Sequence, residues 1–486
     1  MTVLVDDQRC LSRAEVDHLV GRAVTAIDEL GLAGRRLAVM GENSADTVIA
    51  HLGALSAGVS SVPVPRYLGV DEIAYILRDS GAGALLSGAA TATTARKAAA
   101  EADVADLSFD DWLAPTATAS RLDRRAETLL VYTSGTTGRP KGTEMRWLPS
   151  LPATVGEYLD TVAARSPYPA GPHLVVGPLH HTGPLSALRH ALAGGTVVVL
   201  ERFDPETVLA AVEEHRVASS VMVPTHFSRL LALPPDTRHR YDTRSLRKVV
   251  HTGAACPVGV KRAIIEWWGP VLSEAYGGSE SGTVCAIDSA EWLDHPGSVG
   301  RPVAGFEALI LDGDGRALPP GAEGALWFRD LTGRGVRYHG VEHQGVPSGA
   351  PEPGLFSLGE IGRIDADGFV YITDRQSDMV VSGGVNLYPA EAEAALTQHP
   401  AVADVAVIGV PHADMGEALH ALVVPAPGVP RPGPEDLDAY CRERLAAPKC
   451  PRSYELVETV GRNPMGKVDK RALRRPYWPT DRTIGG

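Results

Sequence analysis

Two patterns of apolar positions alternate along the first 330 residues. Stretches such as SRAEVDHLVGRAVTAIDELG (12–31) place apolar residues at helical spacing. Between such stretches stand short runs rich in Val and Leu: RRLAVMG (35–41), TLLVYT (128–133), HLVVG (173–177), GTVVVL (195–200), SSVMVP (219–224) and RKVVHTG (247–253). Apolar runs without alternation, interleaved with helices, predict strands buried on both faces in largely parallel sheets. The pattern therefore predicts an α/β fold, and no internal repeat of fixed short period interrupts it.

The character changes between 331 and 356, where GVEHQGVPSGAPEPG (340–354) reads as loop. DADG (365–368) reads as a hairpin turn between EIGRI and FVYIT. Past Asp374 a smaller unit follows: a strand, the helix PAEAEAALTQHP, the strands VADVAVIGVP and ALHALVVP, then the helix EDLDAYCRERL. GVPRPGP (428–434) lies inside that unit as a loop. The expected organisation is a large N-terminal domain of βα-layered sheets, 1–374, and a small α+β C-terminal domain, 375–486, both of ordinary domain character.

The totals narrow the function classes. The chain has 486 residues, is 44% hydrophobic and 22% charged, and carries a net charge of -13. That charge argues against nucleic acid as the main partner, because a phosphate backbone rewards clustered Lys and Arg, while leaving room for a local basic pocket. Five scattered cysteines with no CxxC pair suggest neither a disulfide framework nor a zinc site. No basic n-region or long apolar run follows Met1, so the expectation is no leader, no membrane span and a reducing cytoplasm.

The candidate chemistry starts at TSGTTGRPKG (133–142). A nucleoside-triphosphate P-loop does not fit, since no Ser or Thr follows Lys141 and the glycine spacing is wrong. A plain Gly-rich turn between a strand and a helix is one reading. An anion cradle is the other, in which hydroxyls and N–H groups wrap phosphate oxygens, glycines permit close approach and Lys141 adds charge. Further stretches follow in order: PLHHTGP (178–184), HTGAACP (251–257), EAYGGSES (274–281), FSLGEIGRID (356–365), YITDRQSDMVVSGGVNLYPAEAE (371–393) and NPMGKVDKRALR (463–474).

Together these stretches resemble the signature motifs of the acyl-adenylate-forming (AMP-binding) superfamily, which includes acyl-CoA synthetases, peptide-synthetase adenylation domains and luciferases. The match over Thr133–Lys141 is complete, and the resemblance covers nearly the whole chain. It decides for the anion cradle. It also implies a small β-barrel-like subdomain in the large domain, a mobile C-terminal domain, and ATP, Mg2+ and CoA as the small molecules used. By the same resemblance Thr133, Ser134, Gly135, Thr136, Thr137, Gly138 and Lys141 hold the β- and γ-phosphates. Gly253, Ala254 and Ala255 form one adenine wall, and Glu274, Ala275, Tyr276 and Gly277 the other. Ser279 bonds a phosphate where the family usually has Thr, and Glu280 orients Mg2+, a hard cation that prefers carboxylate oxygens. Ile372 and Arg375 lie near the ribose. Lys467, on a Gly-Lys turn of the small domain, brings a cation to the reacting carboxylate and α-phosphate; its neighbour Lys470 is read as a solvent-exposed lysine. His181, Thr182, His226, Gly253, Gly277, Gly278 and Ser279 would line the acyl pocket, with a core-packing role open for His226. For the second half-reaction Ser382, Gly383 and Gly384 would admit a pantetheine thiol, and Ser377 stands at the hinge.

Several positions depart from the family pattern. Glu360 replaces the Asp that binds the ribose hydroxyls, Leu358 replaces a Thr, and Ser377 replaces a Lys or Asp. Adjacent His180 and His181, read as residues at a strand end, should point apart, and with His190 they are read as packing rather than metal-binding. Arg189 is read as a solvated helix face or a contact to a polar substituent. After PLHHTGP the next acid is Glu201, so no carboxylate stands ready for an ammonium, and a buried ammonium without one is costly. The expected substrate is therefore an aryl, alicyclic or fatty carboxylic acid rather than an α-amino acid. The acceptor is CoA or a phosphopantetheine carrier, with a separate thiolating enzyme or a non-catalytic nucleotide-binding relative as the alternatives.

Overall fold

The computed structural model describes residues 2–114, 117–133, 140–145, 147–148, 150–333, 336, 339, 352, 354–375, 378–382, 385–412, 415–445, 447–463 and 466–478. The Val- and Leu-rich runs are strands, as their apolarity demands. His173–Val175, Ser219–Met222, Lys248–His251 and Leu272–Gly278 lie side by side and parallel, with Val197–Val199 and Thr2–Val5 beyond His173–Val175. Helices Val155–Ala164, Pro205–Glu214 and Val258–Trp268 carry apolar faces that join the cores on this sheet. A second parallel sheet is ordered Ser60–Pro63, Arg36–Met40, Ala82–Ser87, Ala105–Ser108. Helix Arg13–Glu29 starts at a capping box in which the Ser12 hydroxyl accepts from Glu15 N and the Glu15 carboxylate accepts from Ser12 N.

The large sheet changes sense after Leu272–Gly278. Gly282–Asp288, Ser298–Pro302, Val370–Arg375, Glu360–Ile364, Glu323–Asp330 and Phe306–Leu311 continue it antiparallel, around a core that includes Val284, Ile310, Leu326, Phe328 and Val370. DADG makes the predicted hairpin turn between Glu360–Ile364 and Val370–Arg375. The segment expected as loop within 331–356 lies mostly outside the described residues.

Beyond Arg375 a separate sheet forms from Val385–Leu387, Val380–Ser382, Gly416–Pro425 and Val402–His412, with Ser453–Leu456 parallel to Gly416–Pro425. Helices Pro389–Leu396 and Pro434–Arg442 pack on it through Ala392, Leu396, Leu437 and Cys441. Among the described residues no helix is long and apolar enough to cross a membrane.

Parallel strands put their carboxyl ends on one edge, and the turns that leave them must gather there. The turns after His173–Val175, Ser219–Met222 and Lys248–His251 contain His180–Thr182, Val223–His226 and Thr252–Cys256, and the fourth strand ends in Tyr276–Gly278. These are the regions the motifs singled out. The hairpin from Leu272–Gly278 to Gly282–Asp288 shifts register between Tyr276 and Gly277. A Cβ at Gly277 would sit 1.9 Å from the Gly282 carbonyl oxygen, so the close approach of backbones requires glycine.

Two predictions follow from this packing. Gly277→Ala is expected to cost about 1–3 kcal/mol, because the obstructing atom is main chain and cannot rotate away; the shift in denaturant midpoint measures it. Burial also holds His51, His173 and His226 at pKa values of about 3 and His181 at about 4, far below the ordinary value. The unfolded chain therefore binds protons that the folded chain refuses as pH falls from about 6.5 toward 4. Stability contributed by these groups is complete above about pH 6.5 and declines below it, by up to about 1.4 kcal/mol per pH unit for each histidine. Denaturant titrations at pH 7, 6 and 5 should show that decline, and a flat profile would contradict it.

Candidate active site

The phosphate loop joins two paired strands. Thr133 ends Leu130–Thr133, Lys141 starts Lys141–Glu144, and the two residues are register partners. The element after the loop is thus a strand, and the helix of the simple turn reading is absent. Ser134, Gly135, Thr136, Thr137 and Gly138 lie outside the described residues. The base of the hairpin is tied down from the side. Tyr132 Oη donates to Asp79 Oδ2 at 2.6 Å, and Tyr75 Oη donates to the Pro140 carbonyl at 3.3 Å.

Tyr276 and Glu360 meet across the antiparallel part of the sheet. Tyr276 Oη donates to Glu360 Oε2 at 2.8 Å, and the carboxylate is buried at the start of its strand, opposite Arg375 in register. Leu358 packs with Tyr276 and Ile372 against the Phe328 core, so the loss of the expected threonine is repaid in apolar contact. The side chain of Arg375 and the whole of Ser377, Gly383 and Gly384 lie outside the described residues. Ser382 is buried and pairs with Val385 in the small sheet.

Gly253, Ala254 and Ala255 form the loop between Lys248–His251 and helix Val258–Trp268, with Gly253 and Ala255 exposed. The chain turns sharply after Gly278. Ser281 Oγ accepts from Gly278 N at 2.9 Å and donates to the Gly282 carbonyl at 2.9 Å, fixing the segment that holds Ser279 and Glu280. The Glu280 carboxylate folds back over Gly278, where a Cβ would lie 2.6 Å from its Oε2. The Glu274 side chain does not face the same way. It is buried with its Oε2 2.6 Å from Lys261 Nζ, which leaves only its main chain for a nucleotide.

The two histidines of PLHHTGP are not splayed as expected. They lie in a turn rather than on a strand, and their rings touch with centroids 4.4 Å apart. His181 precedes helix Thr182–Leu185, and Gly183 approaches Val221 and Thr252 so closely that a Cβ there would be 3.1 Å from Val221 Cγ1. Among the described residues the buried Nε2 of His181 has no hydrogen-bond partner. Burial first, and the Lys467 ammonium second, hold this imidazole neutral, with a pKa of about 4. Burial likewise keeps His180 well below its usual value.

The Lys467 ammonium is therefore close enough to act electrostatically on His181, although the two lie 286 positions apart in sequence. The turn that carries it is closed by Asn463 N donating to the Lys467 carbonyl at 2.9 Å and Lys467 N donating to Asn463 Oδ1 at 2.9 Å. Gly466 adopts φ +73°, and a Cβ there would lie 2.1 Å from Thr225 Oγ1. The small sheet's turn is thus pressed against the edge of the large sheet. Arg462 braces it by donating to the Gly466 carbonyl and to both oxygens of Asp404, each at 2.7 Å.

Two expectations need correction. Lys470 is paired with Glu393 at 2.8 Å with its side chain largely covered, because helix Lys470–Arg474 packs by strand Val402–His412. His226 has the core-packing contacts of its other reading: its ring stacks on Phe203 with centroids 4.1 Å apart, and its Nδ1 accepts from Val223 N. Its neighbour Thr225 is the residue that meets the lysine turn. Arg189 is half-buried and donates to the Arg165 carbonyl at 2.6 Å, so it is not a solvated face. His190 is a buried core histidine, its Nε2 donating to the Gly171 carbonyl at 2.7 Å.

Sequence reasoning passed over Lys261, Thr225, Arg462 and Asp404. Lys261 left a signal, a lysine within the apolar spacing of Ile264, Ile265 and Trp268; the other three left none.

Comparison with known proteins agrees with this geometry. Residues 1–333 match the model of the AMP-binding enzyme family, and 391–467 match that of the AMP-binding enzyme C-terminal domain. The chain is 34% identical to a feruloyl-CoA synthase of an Amycolatopsis species, over 96% of this chain and 94% of that one. It is 32% identical to a fatty acid–[acyl-carrier-protein] ligase of Streptomyces coeruleorubidus, over 97% and 92%. Its fold superposes on an amide bond synthetase of Marinactinospora thermotolerans with a TM-score of 0.81 and 29% identity, covering 98% and 97% of the two chains. With both halves of the family signature present and in order, this chain belongs to the AMP-binding, adenylate-forming enzyme family.

Proposed function

We propose that this enzyme uses ATP to convert an uncharged-tailed carboxylic acid to its acyl-AMP, releasing pyrophosphate, and then transfers the acyl group to the thiol of CoA. In the first step a carboxylate oxygen forms a bond to the α-phosphorus, and the bond to the bridging oxygen breaks with its electron pair leaving on pyrophosphate. In the second step the thiol sulfur bonds to the acyl carbon and AMP leaves. The CoA ligases of this family use ATP, Mg2+ and CoA.

The observation that carries the reading is the close approach of Gly466 to Thr225, which brings the Lys467 turn to the carboxyl edge of the parallel strands, where its ammonium acts on His181, whose Nε2 has no hydrogen-bond partner among the described residues. A cation and a hydrogen-bonding atom stand near one another, as an incoming carboxylate and a charging α-phosphate would require. Thr133 and Lys141 would hold the outer phosphates with the loop they flank. Glu280 would hold Mg2+, which when bound neutralises phosphate charge. Gly253–Ala255 and Tyr276 would enclose the adenine, and Glu360 would accept from the ribose hydroxyls. The residues brought near the acyl side, His180, His181, Thr182 and Gly183, are neutral. They offer no countercharge to an ammonium, which supports an aryl, alicyclic or fatty acid, and the similarity to a feruloyl-CoA synthase agrees. The two domains, 1–374 and 375–486, would close for adenylation and rotate about Ser377 for thiol transfer.

The similarity to a fatty acid–[acyl-carrier-protein] ligase over 97% of the chain favours a second acceptor, the pantetheine thiol of a carrier protein. Pyrophosphate release over a panel of carboxylic acids identifies the acid. Product masses with CoA, with a carrier protein and with an amine then separate the acceptors. Release of pyrophosphate with no acid in the panel would overturn the proposal.

Lys467→Ala is expected to lower acyl-AMP formation by about 10²–10³-fold, the range for removing one group that stabilises developing charge. Thioester formation from supplied acyl-AMP should be largely kept. Equal losses in the two half-reactions would contradict the role given to Lys467.

A further inference from the structure

A lysine, a glutamate and a histidine meet in the interior at the root of both adenine walls. His251 and Glu274 are register partners on adjacent parallel strands. His251 stands two residues before Gly253 of one wall, and Glu274 two residues before Tyr276 of the other. Lys261 comes from the helix that leaves the first wall, Val258–Trp268. Its Nζ donates to Glu274 Oε2 at 2.6 Å, and the His251 Nε2 lies 3.4 Å from the same oxygen. Lys261 is 1% exposed, Glu274 7% and His251 0%. The ammonium also sits 4.7 Å from the Trp292 ring centroid, and the His251 ring lies edge-on to Phe227 at 5.6 Å.

This arrangement is costly as a device for stability. Burial lowers the pKa of Lys261, raises that of Glu274 and keeps His251 neutral. Apolar side chains of similar volume would fill the space at no worse a free energy. What they would not supply is direction. A 2.6 Å hydrogen bond from the helix after the first wall to the strand of the second fixes their separation, whereas apolar contacts slide.

We propose that Lys261 is a positioning residue for the nucleotide: through Glu274 it sets the gap between Gly253–Ala255 and Tyr276 into which the adenine fits. This rests on the reading of that gap as the adenine site. The pair touches neither the acid nor the acceptor, so its loss falls chiefly on ATP and less on the acid, whose expected pocket shares Gly253 and Gly277.

The test compares wild type, Glu274→Gln and Lys261→Met/Glu274→Leu. Calorimetry measures ATP binding, and pyrophosphate release measures KM for ATP and for the acid separately. The double variant, which leaves no unpaired charge, is expected to keep its melting temperature within a few degrees and to raise KM for ATP about tenfold, which is about 1.4 kcal/mol. Glu274→Gln, which keeps a neutral and weaker hydrogen bond, is expected to raise it about threefold. KM for the acid should rise less than KM for ATP in both. A folded variant of either kind with wild-type KM for ATP, or with equal rises in both KM values, overturns the proposal. Absence of ATP binding by the wild type would instead remove the adenine reading beneath it.

Discussion

The constraint on which this enzyme depends is the contact between the turn at Gly466 and the helix start at Thr225. Only a residue without a side chain lets the Asn463–Lys467 turn come that close, and only that closeness puts the Lys467 ammonium within electrostatic reach of His181. Everything around the contact serves its geometry. Asp404 and Arg462 brace the turn from the small sheet, while Val223–Pro224–Thr225 begin a helix directly off a parallel strand of the large one. A lysine on a flexible stem loses side-chain freedom when it is ordered, so a rigid turn that aims it reduces what ordering costs at the moment of reaction.

The charge pattern around the contact is equally deliberate. A cation placed against two imidazoles would be wasted if they were protonated, since like charges would repel it and compete for the substrate's anion. Burial keeps both His180 and His181 neutral, so neither adds a like charge near the Lys467 ammonium. The buried Lys261–Glu274 pair follows a different logic, in which opposite charges satisfy one another inside the sheet and act on the cleft only through the backbone they hold.

The departures from the family pattern divide by what surrounds them. Glu360 is longer than aspartate, yet Tyr276 Oη takes one of its oxygens and the carboxylate remains at the strand's start. Leu358 forgoes a hydroxyl and joins the Phe328 core. Each substitution is absorbed locally because its neighbours are apolar or offer a compensating donor.

Much of the architecture was readable in the residues themselves. Uninterrupted Val and Leu runs cannot be solvated, so they had to be buried strands, though TLLVYT pairs in a two-stranded antiparallel hairpin rather than in a parallel sheet, and DADG had to turn between EIGRI and FVYIT. The ordered motifs likewise named Tyr276, Glu280 and Lys467 without any coordinates. What the residues did not contain was which side chains are spoken for. His226 carries the same imidazole as His181, but a ring stack with Phe203 occupies it. Lys470 reads as a solvent-exposed lysine, but Glu393 pairs with it. Local spacing decides strand, turn and helix because those depend on neighbours along the chain. The partners of a charge are decided only by folding, because they come from segments tens or hundreds of residues away that the chain brings within a few ångströms.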